Sequence, residues 1–515
     1  MKYTSLLIFP VLLFNLSCTT QKDIQPNIIF IMTDDHAMRA ISAYENKLVS
    51  TPSIDRLAGE GFLFRNSFVT NSICAPSRAV MLTGTFSHIN GQTDNSVIFD
   101  SSQVTFPRIL QKAGYQTALV GKWHLRSDPT GFDYWNILPG QGSYYNPDFI
   151  EMGKPVKHLG YVTTLTTDIA LDWLESGRDK EHPFCLLLHH KAPHRTWQPD
   201  TSYLENLEAI EYPIPGNFFD KYDGRSAASV QEMSIRTSDM DLLYDLKMDD
   251  GKGGFVSRFG EYDHTSRMNE AQKIAWDKHY RPLAEKFLEN PPTGIELEKW
   301  KYQRYMRDYL ACVKSVDDNL GRLLDYLEAS DLLNNTIIIY TSDQGFYLGE
   351  HGWFDKRFMY EESMRTPLLI RPAGGRDQQV DITGLVQNID LAPTILEMAG
   401  ADIPAIMQGE SLLKLMDGSN NAEWRDALYY HYYEYPNEHM VRRHWGIRTD
   451  RYKLIHFYYD IDSWELYDLD NDPDEMENLI NDANYTAIKD KLFKRLEELR
   501  SEYGDTIPEH FGTFK

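Results

Sequence analysis

The residues best equipped for chemistry in this chain come in short stretches. Cys74 heads Cys74-Ala75-Pro76-Ser77-Arg78, and Ala79-Val80-Met81-Leu82-Thr83-Gly84 follows without a break. Pro76 suits the first turn of a helix, Arg78 adds a fixed cation, and the apolar residues after it can bury one helix face. A cysteine near the positive end of such a helix sits where an anion or a nucleophile is favoured, although a small packed core residue fits there as well. Asp34-Asp35 and Asp343-Gln344 each follow an apolar run, Lys122 and His124 follow a third, and the loop His189 to His194 follows a fourth. Oxygen donors from Asp34, Asp35, Asp343 and the Gln344 amide suit a hard cation such as Ca²⁺, whereas zinc prefers nitrogen or sulfur. One Asp-Asp pair after a strand also makes an ordinary solvated turn. The metal reading rests on two acidic strand ends occurring together.

The apolar runs must position these groups. Asn27 to Met32, Thr117 to Val120, Phe184 to Leu188 and Thr336 to Tyr340 read as buried parallel strands and alternate with helical patterns, which defines the α/β class. We expect a large mixed, mostly parallel sheet sandwiched by helices, and in such sheets ligands bind at the carboxyl edge. After Gly400 the pattern changes. Gly446 to His456 alternates as one strand, Trp464 to Leu469 as another, Asn471-Asp472-Pro473-Asp474 is a turn, and a charged amphipathic helix closes the chain. This predicts a smaller C-terminal antiparallel sheet plus helix subdomain. Residues 205–300 are polar, aromatic-sprinkled and weakly periodic, and they read either as an insertion at the edge of the site or as helical padding.

A chain of 515 residues has room for more than one domain, and its formal net charge of -24 argues against a nucleic-acid partner. An anionic substrate must then be drawn in by a local positive site. Of the four cysteines, Cys18, Cys74, Cys185 and Cys312, the last two lie in strand-like and helical core patterns, so no disulfide scaffold is expected. Lys2 precedes the apolar run Leu6 to Leu16, which ends in Leu16-Ser17-Cys18. The run is short for a membrane span and reads as an export signal. The small residue before Cys18 resembles the lipobox of bacterial lipoproteins. We expect a lipoprotein-type signal peptide over 1–18, a linker over 19–26, and a lipid anchor at Cys18 as the sole membrane attachment. The location expected is the periplasm or outer membrane of a Gram-negative bacterium.

The stretch from Cys74 to Gly84 matches the signature C/S-x-P-S-R-x-x-x-L/M-T-G, and the chain resembles a type I sulfatase of the alkaline-phosphatase superfold. The resemblance implies that Cys74 is oxidised to formylglycine by a separate maturation enzyme, and that the hydrated aldehyde attacks the sulfur of a sulfate ester. It implies Ca²⁺ on Asp34, Asp35, Asp343 and Gln344, with an oxygen at residue 74 completing the shell. Many sulfatases carry Asn where this chain has Gln344. Gly121-Lys122-Trp123-His124 matches the family segment in which the lysine holds a sulfate oxygen and the histidine contacts formylglycine. Lys191-Ala192-Pro193-His194 matches the loop whose histidine lies near the leaving oxygen, and Lys356 matches the second sulfate-binding lysine. We expect Arg78 to orient residue 74 and Asp343 to help deprotonate the attacking hydroxyl. His194, aided by Lys356, then protonates the departing alcohol, and His124 takes the last proton. The catalytic domain is expected over 27–415 and the C-terminal subdomain over 416–515.

Ser342 to Arg357 looks most like carbohydrate sulfatases of gut and marine bacteria, in particular the N-acetylglucosamine-6-sulfatase group, and Tyr435 to His444 supports that placement. A sugar is recognised by directional hydrogen bonds, which makes Asp355, Arg357, His439 and His444 the substrate-binding candidates. A salt bridge or a structural histidine fits each of them equally. The leading expectation is exo-acting 6-O-desulfation of N-acetylglucosamine in glycosaminoglycan or mucin glycans. Another sugar sulfatase, acting on 2-O-sulfate or galactose, comes next. A phosphonate or phosphodiester hydrolase of the same superfold and a catalytically silent glycan-binding lipoprotein complete the set.

Overall fold

The computed structural model describes residues 25–505, apart from 46, 47, 206, 419–423 and 460. The expected signal stretch with Cys18 lies outside the described residues. A ten-stranded sheet runs through the molecule in the order Val380–Ile382, Phe62–Phe64, Leu368–Arg371, Thr336–Ser342, Asn27–Thr33, Phe184–His189, Gln116–Lys122, Tyr134–Leu138, Asp148–Glu151 and Lys154–Lys157. The five neighbours from Thr336–Ser342 to Tyr134–Leu138 are parallel, so their carboxyl ends share one edge. All four strands expected from the apolar runs are among them. Ile28 stands level with Cys185 on one side and Ile337 on the other.

Asn27–Thr33 is apolar throughout because both its faces are covered. Ile29 and Ile31 enter one core cluster and Ile28, Phe30 and Met32 the other. The first cluster is roofed by the helix Gly294–Ala329, together with Val162–Asp172 and Pro52–Gly59. Tyr302, Tyr305, Tyr309, Val313, Val316, Leu320, Leu323 and Leu327 of the long helix are buried. Their three- and four-residue spacing is that of a helix with one apolar stripe, and each buried aliphatic side chain contributes roughly 1.5–3 kcal/mol. The second cluster is covered by Cys74–Thr83, Phe106–Lys112 and Leu391–Met398. The helix bearing Cys74 is thus clamped onto the sheet along its own apolar residues.

The C-terminal part is a four-stranded antiparallel sheet, Ala427–Tyr432, His444–Thr449, Tyr452–Phe457 and Ser463–Asp468, with the helix Thr486–Glu502 laid on it through Leu492, Leu496 and Leu499. The run expected as one strand from Gly446 to His456 is a hairpin. Thr449 closes the turn, its hydroxyl donating to the Tyr452 carbonyl at 3.0 Å and accepting from the Tyr452 amide at 2.9 Å. Alternation continues on both sides of that turn, which is why the pattern reads as unbroken. The face opposite the helix sends Tyr430, Tyr432, Ile455, Phe457 and Tyr467 into the core cluster roofed by the long helix.

Among the described residues between 201 and 269 the helices are only three-residue 3₁₀ turns. That backbone is held by side chains, among them Lys301, which donates to the carbonyls of Thr237 at 2.6 Å and Met240 at 3.0 Å. A capping box of Asn269 and Gln272 then starts the helix Glu270–Glu289. No helix among the described residues is long and apolar enough to cross a membrane.

Candidate active site

The carboxyl ends of Asn27–Thr33 and Thr336–Ser342 are laced together, and this fixes the acidic residues that follow them. The Asp343 amide donates to the Thr33 carbonyl at 3.1 Å, the Asp35 amide to Asp343 Oδ1 at 3.1 Å, and the His36 amide to Ser342 Oγ at 2.9 Å. Asp35 adopts φ 67°, and the Tyr309 hydroxyl donates to its carbonyl at 2.7 Å. This local turn is one that aspartate tolerates, and it swings the Asp34 and Asp35 carboxylates toward Asp343.

Cys74 opens the helix Cys74–Thr83, and its Sγ lies 3.5 Å from Asp34 Oδ1 and 3.7 Å from Gln344 Nε2. One turn later, Arg78 donates to Asp343 Oδ2 through Nε at 3.0 Å and Nη2 at 2.8 Å, and to the Lys122 carbonyl through Nη1 at 2.8 Å. Arg78 therefore acts on the groups around Cys74 and makes no hydrogen bond to the sulfur. Lys122 pairs with Asp34 and also donates to Gln141. Lys356 reaches both oxygens of Asp35, at 2.6 and 2.7 Å. His194 Nδ1 donates to the Arg195 carbonyl at 2.6 Å, which leaves Nε2 facing Asp35 Oδ2 at 3.8 Å. His124 has Nδ1 3.3 Å from the Gly140 carbonyl and Nε2 3.3 Å from Gln141 Nε2.

Electrostatics divide the carboxylates. Burial pushes Asp34 up, but Lys122, His194, Arg78 and Lys356 outweigh it and hold the carboxyl well below the usual range. Burial raises Asp35 to about 6 against the pull of Lys356, and burial with the nearby Asp34 raises Asp343 to about 7. Burial also pushes the Cys74 thiol up, so it is a poor thiolate nucleophile as it stands. Burial and then Lys122 lower His124 to about 3 and hold His194 well below its ordinary value.

The donor set fits a hard divalent cation. Carboxylate oxygens of Asp34, Asp35 and Asp343 lie within 4.8 Å of one another, and Gln344 Oε1 is buried with no hydrogen-bond partner among the described residues. Every donor is oxygen, and burial raises the Asp35 and Asp343 carboxyls, whose ionised forms a divalent cation would favour.

The substrate candidates separate. Asp355, Arg357 and His439 form one buried network beside Lys356. His439 Nε2 is 3.2 Å from Asp355 Oδ2, Arg357 Nε is 3.3 Å from Asp355 Oδ1, and Arg357 also pairs with Glu434. His444 is not brought to this network. It is fully buried in its strand, with Tyr430 and Tyr432 stacked on its ring and Nδ1 bonded to the Arg442 carbonyl at 2.7 Å. The spacing of the Tyr435 to His444 stretch gave no sign that its last residue starts a strand.

Gln141, Glu434 and Ser77 were missed by sequence reasoning. Gln141 follows Tyr134–Leu138, the strand beside Gln116–Lys122, and so obeys the carboxyl-edge rule, but the mixed composition of that run hides the strand. Ser77 donates to the Asp343 carbonyl and accepts from Asn388 at 2.8 Å, which steadies the helix start.

Cations and carboxylates alternating around one helix-terminal sulfur form a cradle for a tetrahedral oxyanion. At the carboxyl edge of this sheet, that geometry defines an anionic-ester hydrolase with the alkaline-phosphatase-like fold. Residues 26–401 match the family profile described as "Sulfatase", and residues 349–502 match "N-sulphoglucosamine sulphohydrolase, C-terminal". The chain belongs to the sulfatase family, and it is an enzyme. It is 49% identical over 498 residues to an N-acetylglucosamine-6-O-sulfatase of Bacteroides thetaiotaomicron, covering 95% of this chain and 88% of the relative. It is 28% identical over 436 residues to the N-acetylglucosamine-6-sulfatase of Homo sapiens, covering 79% and 67%. The solved structure of BT4656 in complex with its substrate D-glucosamine-2-N,6-O-disulfate superposes with a TM-score of 0.90 at 48% identity, covering 95% of this chain and all of that one. The phosphonate monoester hydrolase of Agrobacterium radiobacter shares the fold at a TM-score of 0.63 and 19% identity, covering 93% and 96%.

Proposed function

We propose that this protein hydrolyses the 6-O-sulfate ester of N-acetylglucosamine or glucosamine units at the ends of sulfated glycans. The observation that carries the reading is the placement of Cys74 Sγ against Asp34 and Gln344, with Lys122 paired to Asp34 and Lys356 to the adjoining Asp35. Support for the sugar comes from the relatives named for this activity and from the Asp355–Arg357–His439 network beside Lys356.

Asp34, Asp35, Asp343 and Gln344 would hold Ca²⁺, and residue 74 would carry formylglycine made from Cys74 by a maturation enzyme. When present, these groups supply charge withdrawal from the sulfate oxygens and an oxygen nucleophile that is regenerated at the end of turnover. The chain's own residues do the rest. Lys122 Nζ and Lys356 Nζ, paired with Asp34 and Asp35, are the cations placed to bind the sulfate oxygens. Arg78 keeps Asp343 in one orientation throughout. His194 has Nδ1 fixed as a donor to the Arg195 carbonyl, so Nε2 is the nitrogen that takes up, and then passes to the departing sugar oxygen, the second proton of the ring. The incoming anion raises the basicity that burial has lowered. His124, held by Gly140 and Gln141, accepts a proton at the opposite side. Asp355, Arg357 and His439 orient the sugar hydroxyls.

We also place the protein outside the cytoplasm as a lipoprotein anchored through Cys18, on the strength of Lys2, the apolar run to Leu16 and the Ser17-Cys18 pair. Loss of fatty-acid labelling in Cys18→Ser tests that placement.

The activity is tested on protein from a formylglycine-competent host, offered 6-O-, 4-O-, 3-O- and 2-O-sulfated hexosamines and galactose. Sulfate released from 6-O-sulfated glucosamines alone supports the reading. Release from another sugar keeps the sulfatase and replaces the substrate. Faster turnover of matched phosphate diesters or phosphonates contradicts it.

A further inference from the structure

Lys191 is 4% exposed, yet among the described residues its ammonium has neither a hydrogen-bond acceptor nor a carboxylate within ion-pair reach. Its neighbour is the face of the Tyr144 ring, 4.8 Å away. Other buried lysines are paired. Lys122 sits on Asp34, Lys356 on Asp35, Lys247 is 3.0 Å from Asp308, Lys301 bonds two carbonyls, and Lys453 is 2.9 and 2.7 Å from Glu361 and Glu475. A buried ammonium without a partner is costly. Burial, then Lys122, brings Lys191 down to about 8, so at neutral pH it is still largely a cation.

Lys191 lines a cavity of about 190 Å³ that opens beside His194 and is walled by Gln141, Tyr144, Tyr244, Tyr262 and Arg267. The other cations there are matched. Arg195 forks onto Asp245 at 2.7 and 2.8 Å and Arg267 is 2.7 Å from Asp148, while the exposed Asp263 keeps its charge, its Oδ1 accepting from the Thr265 amide and hydroxyl at 2.7 and 2.8 Å. His264 is pushed down to about 3 by burial and is neutral. Lys191 is thus the uncompensated cation of the cavity, on the side next to His194. Tyr244 and Tyr262 lie 4.6 Å apart, with the half-exposed Phe259 4.7 Å from Tyr244, so they form an aromatic edge of the kind that covers the apolar face of a sugar ring.

We propose that this cavity is a subsite for a second anionic group of the glycan, and that Lys191 is the residue that pairs with it. The inference rests on the glucosamine-6-sulfatase reading. The ligand is a sulfate or carboxylate, and the aromatic edge favours one carried on the sugar unit next to the unit desulfated.

The test compares wild type, Lys191→Met and Lys191→Arg on three substrates. These are N-acetylglucosamine-6-sulfate, glucosamine-2-N,6-O-disulfate, and a disaccharide joining the 6-sulfated sugar to a uronic acid. The readout is the ratio of kcat/KM for each doubly charged substrate to that for the singly charged one, which cancels losses from folding. The disaccharide ratio is expected to fall about tenfold in Lys191→Met, the effect of roughly one charge-assisted contact, and to recover in Lys191→Arg. A fall confined to the 2-N,6-O-disulfate overturns the neighbouring-sugar assignment. An unchanged ratio for both doubly charged substrates overturns the subsite while leaving the function intact. A wild type that turns over none of the three contradicts the function and takes the subsite with it.

Discussion

Arg78 donates through Nε and Nη2 to Asp343 and through Nη1 to the Lys122 carbonyl, so one guanidinium joins the ends of two strands beneath Cys74. Lysine offers one point charge where arginine offers a planar fork. Arg78→Lys is expected to lose two charge-assisted contacts, roughly 3 kcal/mol, and to lower kcat/KM about a hundredfold in a steady-state assay. Gln344 Oε1 is the other telling atom, buried beside Asp35 and without a hydrogen-bond partner among the described residues. Calcium chelation is expected to abolish turnover and lower the melting temperature by several degrees, since a ligand at a hundred times its Kd stabilises by about 2.7 kcal/mol. Added Ca²⁺ restores both, and Gln344→Leu needs more Ca²⁺ for the same recovery. Calorimetry with and without chelator checks this, and a melting temperature indifferent to calcium would remove the cation from the site. The signature and the acidic pairs were legible because they interrupt apolar or helical patterns. Glu434 was not, because its pairing with Arg357 is made by the fold across distant sequence.

Strand ends do most of the positioning. Gly121 has φ 104°, and a Cβ there would overlap the His189 carbonyl on the neighbouring strand. Only glycine lets Gln116–Lys122 lie this close while turning Lys122 into the site. Gly121→Ala is expected to destabilise the protein by about 2 kcal/mol or more and to raise KM through a displaced Lys122. Thermal melting and substrate titration check both effects, and a variant with native melting temperature and KM would show that the approach has slack. The parallel strands were readable because burial on both faces leaves an unbroken apolar run. The hairpin at Thr449 and the place of His444 were not, since alternation is the same on both sides of a tight turn and does not say which face is covered. The region between residues 201 and 269 carried no periodicity, because its backbone is held by side chains such as Lys301 and Asp241 in place of regular ladders.

Across the whole molecule, a net charge of -24 surrounds a site built to take an anion. Long-range repulsion is screened by salt, while the enclosed lysines are screened far less. We expect kcat/KM for a sulfated monosaccharide to rise about two- to threefold between 10 and 150 mM salt. A steep fall would mean that a positive rim steers the substrate. The C-terminal sheet completes the same site, because Tyr430 donates to the Arg357 carbonyl at 2.8 Å and accepts from the Ser72 amide at 3.2 Å. The two parts of the chain therefore share one catalytic surface, and the central claim is that residue 74 performs sulfate-ester hydrolysis on that surface. The most direct check is inorganic sulfate released from N-acetylglucosamine-6-sulfate by wild type and Cys74→Ala, made side by side in a formylglycine-competent host. Sustained release by wild type that drops at least about a thousandfold in Cys74→Ala is the expected result. Equal rates in both proteins, or no release by a wild type whose residue-74 peptide has the aldehyde mass, would contradict it.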